Sequence, residues 1–302
     1  MYKIIVCIPT YQRPEMLKKL VISILECNID KSLIKDVSII IVDNDACKTA
    51  ELVVSELKQN NTRDHEITYC HFPQKGLSNV RNELLKIGLD RNPDFLVFVD
   101  DDEFVSGNWL NELVGTIIRN NGDMAMGPVN SLVSKKIPEY ISYWLKRPGH
   151  ADNEMLHYIR TGNLIIRAES LSEKKIRFDP RFNHTGGEDS YFGLQMLKKG
   201  ATIYWASRAI VYETVPDERA NISWIAMRYY NGANKYSYIL RIENNYCKII
   251  KKLIVSFLYI ILGFFSLILI PFPIRKRYLG ILKLYEGWGG IKGLLGLRYN
   301  EY

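Results

Sequence analysis

The chain has 302 residues, is 47% hydrophobic and 24% charged, and carries a formal net charge of +7. This composition excludes disordered, collagen-like and disulfide-scaffold classes, and the length suffices to bury the core of one large or two modest domains. The charge is uneven: residues 1–240 hold 30 Lys+Arg and 30 Asp+Glu, whereas residues 241–302 hold 10 and 3. A neutral body with a basic tail argues against a nucleic-acid partner, because such binders spread basic residues over the folded domain.

In chain order, residues 3–9, 37–43, 67–72 and 95–100 are short apolar runs rich in Ile, Val, Phe and Tyr, and are expected to be strands. Between them, residues 15–27, 46–59 and 77–89 place apolar side chains at helical spacing. Continuous apolar strands alternating with helices predict an α/β fold with a mainly parallel sheet covered on both faces. Residues 131–185 are less regular, with a strand expected over 163–167 and a helix around 109–119 before them. An amphipathic run follows Gly186-Gly187-Glu188-Asp189 to Lys199. Strands are then expected near 201–205 and 209–213, and an aromatic-rich helix over 222–241. The expected organisation is a catalytic domain over 1–240, with halves of about 1–130 and 131–240, and a tail over 241–302.

The five cysteines, Cys7, Cys27, Cys47, Cys70 and Cys247, form no CxxC pair and have no histidines at ligand spacing. They predict reduced thiols in a cytosolic protein. The N-terminus enters a strand at once, without the pattern of a signal peptide.

Ligands of such sheets bind beyond the carboxyl ends of the strands. Four polar clusters fall there: Thr10-Tyr11-Gln12-Arg13, Asp43-Asn44-Asp45, Gly76, and Asp100-Asp101-Asp102-Glu103. The first glycine of the chain is Gly76, which excludes a glycine-rich phosphate loop in the first strand-to-helix turn. Carboxylates clamping Mg²⁺ or Mn²⁺ are another way to hold a diphosphate. Four consecutive acids after an apolar strand favour a cation, although a solvated loop capping the next helix would read the same way.

The ordered set Ile8-Pro9-Thr10-Tyr11-Gln12-Arg13-Pro14, Ile41-Val42-Asp43-Asn44, Lys75-Gly76-Leu77-Ser78-Asn79-Val80-Arg81-Asn82, Phe98-Val99-Asp100-Asp101-Asp102 and Gly187-Glu188-Asp189 resembles the motifs of glycosyltransferase family 2. Residues 213–219 further resemble the branch that includes succinoglycan-biosynthesis glucosyltransferases. The resemblance implies a GT-A fold and an inverting transfer from a nucleotide sugar, most simply a UDP-sugar, with Mg²⁺ or Mn²⁺. It implies that Pro9, Thr10 and Tyr11 line the base pocket, that Asp43 accepts from the base, and that Gly76 and Asp101 belong to the donor site. By the same resemblance Asp100 holds ribose or base, Asp102 ligates the metal, and Asp189 is the general base with Glu188 beside it. Arg13 and Arg81 can reach either carboxylates or diphosphate through a planar fork of donors. Asn82 reads as a brace for its helix. Many relatives carry a downstream histidine as a metal ligand, but no histidine follows His184. Glu213 is the substitute candidate, with acceptor binding or loop capping as alternatives. Trp144 and Trp205 could stack on sugar rings but read as core.

Residues 253–274 are 22 uncharged residues. As a helix, their first 18 span about 27 Å, near the hydrocarbon thickness of about 30 Å. Lys248, Lys251 and Lys252 precede the run and Arg275, Lys276 and Arg277 follow it. Basic clusters on both flanks conflict with a plain single span. Pro271 and Pro273 mark a break, and 278–297 carries Tyr285 and Trp288 among leucines and glycines. The expected partner of 248–297 is the cytoplasmic face of the cell membrane, with both ends inside. The expected function is sugar transfer to a lipid-linked or growing oligosaccharide in polysaccharide biosynthesis. The alternative is a non-catalytic, membrane-bound subunit that binds a nucleotide sugar.

Overall fold

The structure, a computed structural model, describes residues 1–63, 65–133, 137–268 and 274–299. The first strands and helices are β1 (Tyr2–Thr10), α1 (Pro14–Leu25), β2 (Ile34–Asp43), α2 (Glu51–Gln59), β3 (Glu66–His71), α3 (Leu77–Leu89) and β4 (Phe95–Val99). Then come β5 (Glu103–Val105), α4 (Trp109–Arg119), β6 (Met124–Met126), β7 (Val129–Val133), α5 (Glu139–Leu145), β8 (Asn163–Arg167) and α6 (Ala168–Lys174). The chain continues through α7 (Glu188–Lys198), β9 (Ile203–Trp205), β10 (Val211–Val215), α8 (Ile222–Ile242), α9 (Tyr246–Ile268) and α10 (Ile274–Leu294).

The main sheet has seven strands in the order β3-β2-β1-β4-β8-β6-β9, and β5-β10-β7 form a second, three-stranded sheet. β1 pairs in parallel with both β2 and β4, while β8 runs antiparallel to β4 and β6. The two faces of β1 show why its apolar run is continuous. Ile4, Val6 and Ile8 join an apolar cluster with Leu17, Leu20, Val54, Trp109 and Leu113, whereas Ile5 and Cys7 join another with Val80, Leu84, Phe192 and Met196. Period-2 alternation therefore feeds two cores, and both faces are covered by helices.

Local chemistry sets the helix starts. Pro14 supplies the fixed φ of the first helical residue of α1. Gly76 precedes α3 at φ +123, and a Cβ there would fall on the Asn183 side chain. Replacing Gly76 with Ala is expected to cost about 1–3 kcal/mol, read as a lower denaturation midpoint with an unchanged m-value. The helix expected from residue 46 begins at Glu51, because Asp43 and Asp45 organise the intervening turn: Asp43 accepts from the amides of Asp45 and Ala50 at 2.9 and 3.1 Å.

The chain divides into two compact units, residues 1–132, 147–183 and 188–214 in one, and 133–146, 184–187 and 215–302 in the other. The second unit groups α8 with the tail helices, whereas the sequence pattern suggested a division at residue 240. In this unit Ile141, Leu145, Val215, Ile225, Ala226 and Leu282 form an apolar cluster. α10 runs antiparallel to α9: Gly280 meets Ser266, and Gly287 meets Ser256 and Ile260. Along α8, Gly289 meets Tyr230 and Gly293 meets Asn234 and Ser237. Glycines on two faces let α10 approach both neighbours closely, the packing mode of small-residue helix interfaces. The opposite face of α9 is apolar and exposed, with Leu253, Ile254, Phe257, Leu258, Ile261, Leu262, Phe264, Phe265 and Leu267. α9 is long and apolar enough to cross a membrane by length and composition. Pro271 and Pro273, the expected break, lie outside the described residues.

Candidate active site

The parallel strands β1, β2 and β4 end on one edge of the sheet, and their terminal residues start the site. Asp101, just beyond β4, accepts from Thr10 Oγ1 at 2.9 Å, from the Tyr11 amide at 3.3 Å and from Arg13 at 3.1 Å. It thereby fastens the loop after β1 to the loop after β4. Burial and the neighbouring carboxylates of Asp102 and Asp100 push Asp101 up to about 6, against the opposing pull of Arg13. Arg13 also reaches Asp102 at 2.9 Å. Pro9 is buried in β1, and Tyr11 is 44% exposed.

Asp43, the expected base acceptor, ends β2. It is fully buried, and besides the two amides it accepts from the Tyr69 hydroxyl at 2.9 Å. These bonds fold the loop that follows β2. Asn44, next in sequence, donates to the carbonyls of Phe72 and Gln74 at 2.7 and 2.8 Å, joining that loop to the end of β3.

Arg81 projects from α3 and is nearly fully buried. One arm holds Asp100 at 3.1 Å, and the other is ion-paired with Glu188 at the start of α7. The two arginines left open by the sequence between carboxylate and diphosphate therefore both hold carboxylates. Asn82, as expected, is a brace: it exchanges two 2.8 Å hydrogen bonds with the backbone of Phe178.

Glu188 and Asp189 are adjacent but unlike. Glu188 is buried and clamped by Arg81. Asp189 is half-buried, accepts from the Ser190 amide at 2.6 Å, and makes no ion pair among the described residues. A carboxylate fixed at a helix start without such a pair can accept a proton.

Gly162 and Asn163 are not among the candidates read from the sequence, and Glu103 enters only as one of four acids. Glu103 is buried and accepts from the Asp100 amide at 3.0 Å; burial and the nearby carboxylates push it well above the usual carboxylate range, with Arg147 opposing. Gly162 makes room for this cluster, since a Cβ there would stand 2.7 Å from Glu103 Oε1 and 3.2 Å from Asp100 Oδ2. Asn163 is buried, accepts from Trp109 Nε1 at 2.8 Å and donates to Pro128 and Ala209 at 3.0 and 2.7 Å. Glu213 lies opposite Glu103 in the β10–β5 register and is ion-paired with Arg147. Trp205 joins a core cluster and Trp144 packs at the edge of another, consistent with their reading as core.

Among the described residues, no three His, Cys, Asp or Glu stand together as a preformed metal cluster. The donor chemistry at Asp102 and Asp100 still suits a hard cation. Their side chains are 18% and 37% exposed, and Mg²⁺ commonly takes one or two carboxylates with phosphate and water completing its shell.

Residues 5–168 match Glycosyl transferase family 2. The chain belongs to that family. It is 32% identical over 237 residues to Succinoglycan biosynthesis protein ExoM of Rhizobium meliloti (strain 1021), covering 76% of this chain and 73% of that one. It is 26% identical to Glycosyltransferase GlyA of Streptococcus pneumoniae over 125 residues, 41% of this chain and 16% of the other. Among solved structures it resembles S. aureus TarS 1-349 in complex with UDP-GlcNAc, with a TM-score of 0.55 and 16% identity over 99% of this chain and 93% of that one. A second TarS structure gives a TM-score of 0.55 at 18% identity over 97% of this chain, which spans 54% of its length. At these identities the structures establish the fold alone. The family-2 chain is a glycosyltransferase with the α/β fold expected of it.

Proposed function

We propose that this family-2 enzyme moves a sugar, with inversion, from a nucleoside diphosphate donor to a lipid-linked or growing glycan. The observation that carries this reading is the division of labour at the start of α7. Asp189 makes no ion pair among the described residues, while Glu188 is tied through Arg81 to Asp100. The base is thereby held in register with the acids of the donor edge.

In the proposed step, the acceptor hydroxyl oxygen attacks the anomeric carbon and its proton passes to Asp189. The electron pair of the breaking bond leaves with the diphosphate on the opposite face. No covalent enzyme intermediate is needed for inversion. Asp189 accepts the proton at a carboxylate oxygen, Glu188 and Arg81 hold it in place, and Tyr11 offers its ring to the base. Asp102, with Asp100 beside it, would hold Mg²⁺ or Mn²⁺, which when bound would stabilise the charge of the departing diphosphate. Glu213 is proposed to act through Arg147, its partner, and its role as a metal ligand is the alternative. The UDP and UDP-GlcNAc complexes of the structural neighbours support a uridine nucleotide donor, and the name of the R. meliloti relative supports a place in polysaccharide biosynthesis. A panel of nucleotide sugars, scored for metal-dependent release of nucleotide with lipid-linked acceptors, tests the reading. Turnover of none of them would overturn it.

The tail is proposed to seat the enzyme on the cytoplasmic face of the membrane, with α9 lying in the interface. Lys283 pairs with Glu286 at 3.0 Å and stands 3.7 Å from the ring centre of Tyr259, in the middle of α9. A crossing orientation would carry that ion pair deep into hydrocarbon, whereas an interfacial one leaves it near headgroups. The exposed large side chains of α9 are about half exposed, so each would gain about 1 kcal/mol on burial in lipid. The double variant Phe257→Glu, Leu258→Glu is therefore expected to lower binding to anionic vesicles at least tenfold, measured by co-sedimentation.

A further inference from the structure

A small cavity in the catalytic unit, lined by Met126, Asn130, Arg147, Arg160, Asn163 and Trp205, has no part in the donor edge described above. Two guanidinium groups face it. Arg147 is ion-paired with Glu213 through one arm, but its Nε is buried without a hydrogen-bond partner. Arg160 makes no ion pair among the described residues, and its guanidinium lies 5.4 Å from the ring centre of Tyr158. Burial works against the charge of Arg160 and so does neighbouring Arg147, while Tyr158 and Asp189 favour it. Arg160 is half-buried, and a cation in such a place with no ion pair among the described residues is suited to a ligand that supplies the opposite charge. Two planar forks beside one cavity are suited to an oxyanion, which each can grip through paired N–H donors.

The position of the cavity indicates which substrate brings the anion. An inverting displacement puts the base and the leaving diphosphate on opposite faces of the reacting carbon. Arg160 is within electrostatic reach of Asp189, whereas Arg13 and Arg81 serve the acids of the donor edge. This placement rests on the assignment of Asp189 under Proposed function. We propose that Arg160 and Arg147 form an anion subsite for the acceptor, which takes a phosphate or carboxylate group carried near the attacking hydroxyl. Acceptors with such a group bind more tightly than neutral glycans, and Arg160 contributes to specificity through that contact.

The test uses the full chain in detergent with saturating UDP, and inorganic phosphate as the probe against chloride at equal ionic strength. Phosphate is expected to raise the melting temperature of the wild type by a few degrees. Arg160→Gln is expected to lose the phosphate response. Arg160→Lys should keep part of the response. UDP affinity should stay within twofold in both variants. An equal phosphate response in wild type and Arg160→Gln would overturn the subsite. A tenfold loss of UDP affinity would instead assign the cation to the donor, and a fall in kcat with the phosphate response intact would make Arg160 a positioning residue for Asp189. Should Arg160→Gln fail to fold, phosphate protection of Arg160 from phenylglyoxal in the wild type, read by mass spectrometry, decides the matter: protection supports the subsite, and its absence overturns it. Failure of the wild type to bind UDP would count against the functional reading, while the phosphate arm would still judge the cavity.

Discussion

Asp189→Asn lowers kcat for sugar transfer by about 10²–10⁴-fold, the range for loss of a positioned general base, while the dissociation constant for the donor nucleotide stays within twofold. The substitution conserves shape and leaves the Arg81 link to Glu188 and Asp100 in place, so only proton acceptance is removed. Steady-state kinetics with calorimetric titration of UDP separates the two quantities. A tenfold loss of nucleotide affinity would move Asp189 to the donor site and reject its role as base.

Arg81→Leu is expected to be strongly destabilising. Arg81 and Glu188 side chains are each 4% exposed, so removing the guanidinium takes a cation away from a buried carboxylate and from Asp100. Breaking a buried pair in this way costs about 3–5 kcal/mol, measurable as a shift in the urea midpoint. Arg81→Lys keeps the charge but replaces the fork by a single ammonium, and should recover only part of the loss. A loss below about 1 kcal/mol for Arg81→Leu would mean that Glu188 does not rely on this cation.

Much of the fold was legible because the relevant signals are long. Residues 77–89 and 109–119 show apolar spacing over three turns or more, and α3 and α4 occupy those residues. The run at 163–167 is β8 as expected. The missed strands β5 and β6 have three residues each, too few for any periodicity to register. Their existence depends on partners far along the chain, as when Met124 pairs with Ile166 and Ile203. The candidate site was legible as a list of chemically apt side chains, but not as a set of pairings. Nothing local reveals that Tyr69, on the next strand, donates to Asp43. Arg13 and Arg81 were correctly marked as forked donors, yet only the folded chain shows that they reach Asp102 and Asp100. Arg160 carried no local signal, since its significance lies in its place beside the cavity.

The arginine forks at the donor edge have a kinetic meaning. Asp100, Asp101 and Asp102 each already lie against a guanidinium of the same chain, and the first 240 residues balance their charges. On the proposed reading, a donor diphosphate arriving with its cation meets a surface that exerts little pull at a distance. Capture then depends on collision and close fit, and binding proceeds as an exchange of counter-ions in which each arginine released from an aspartate becomes a donor to the incoming phosphates.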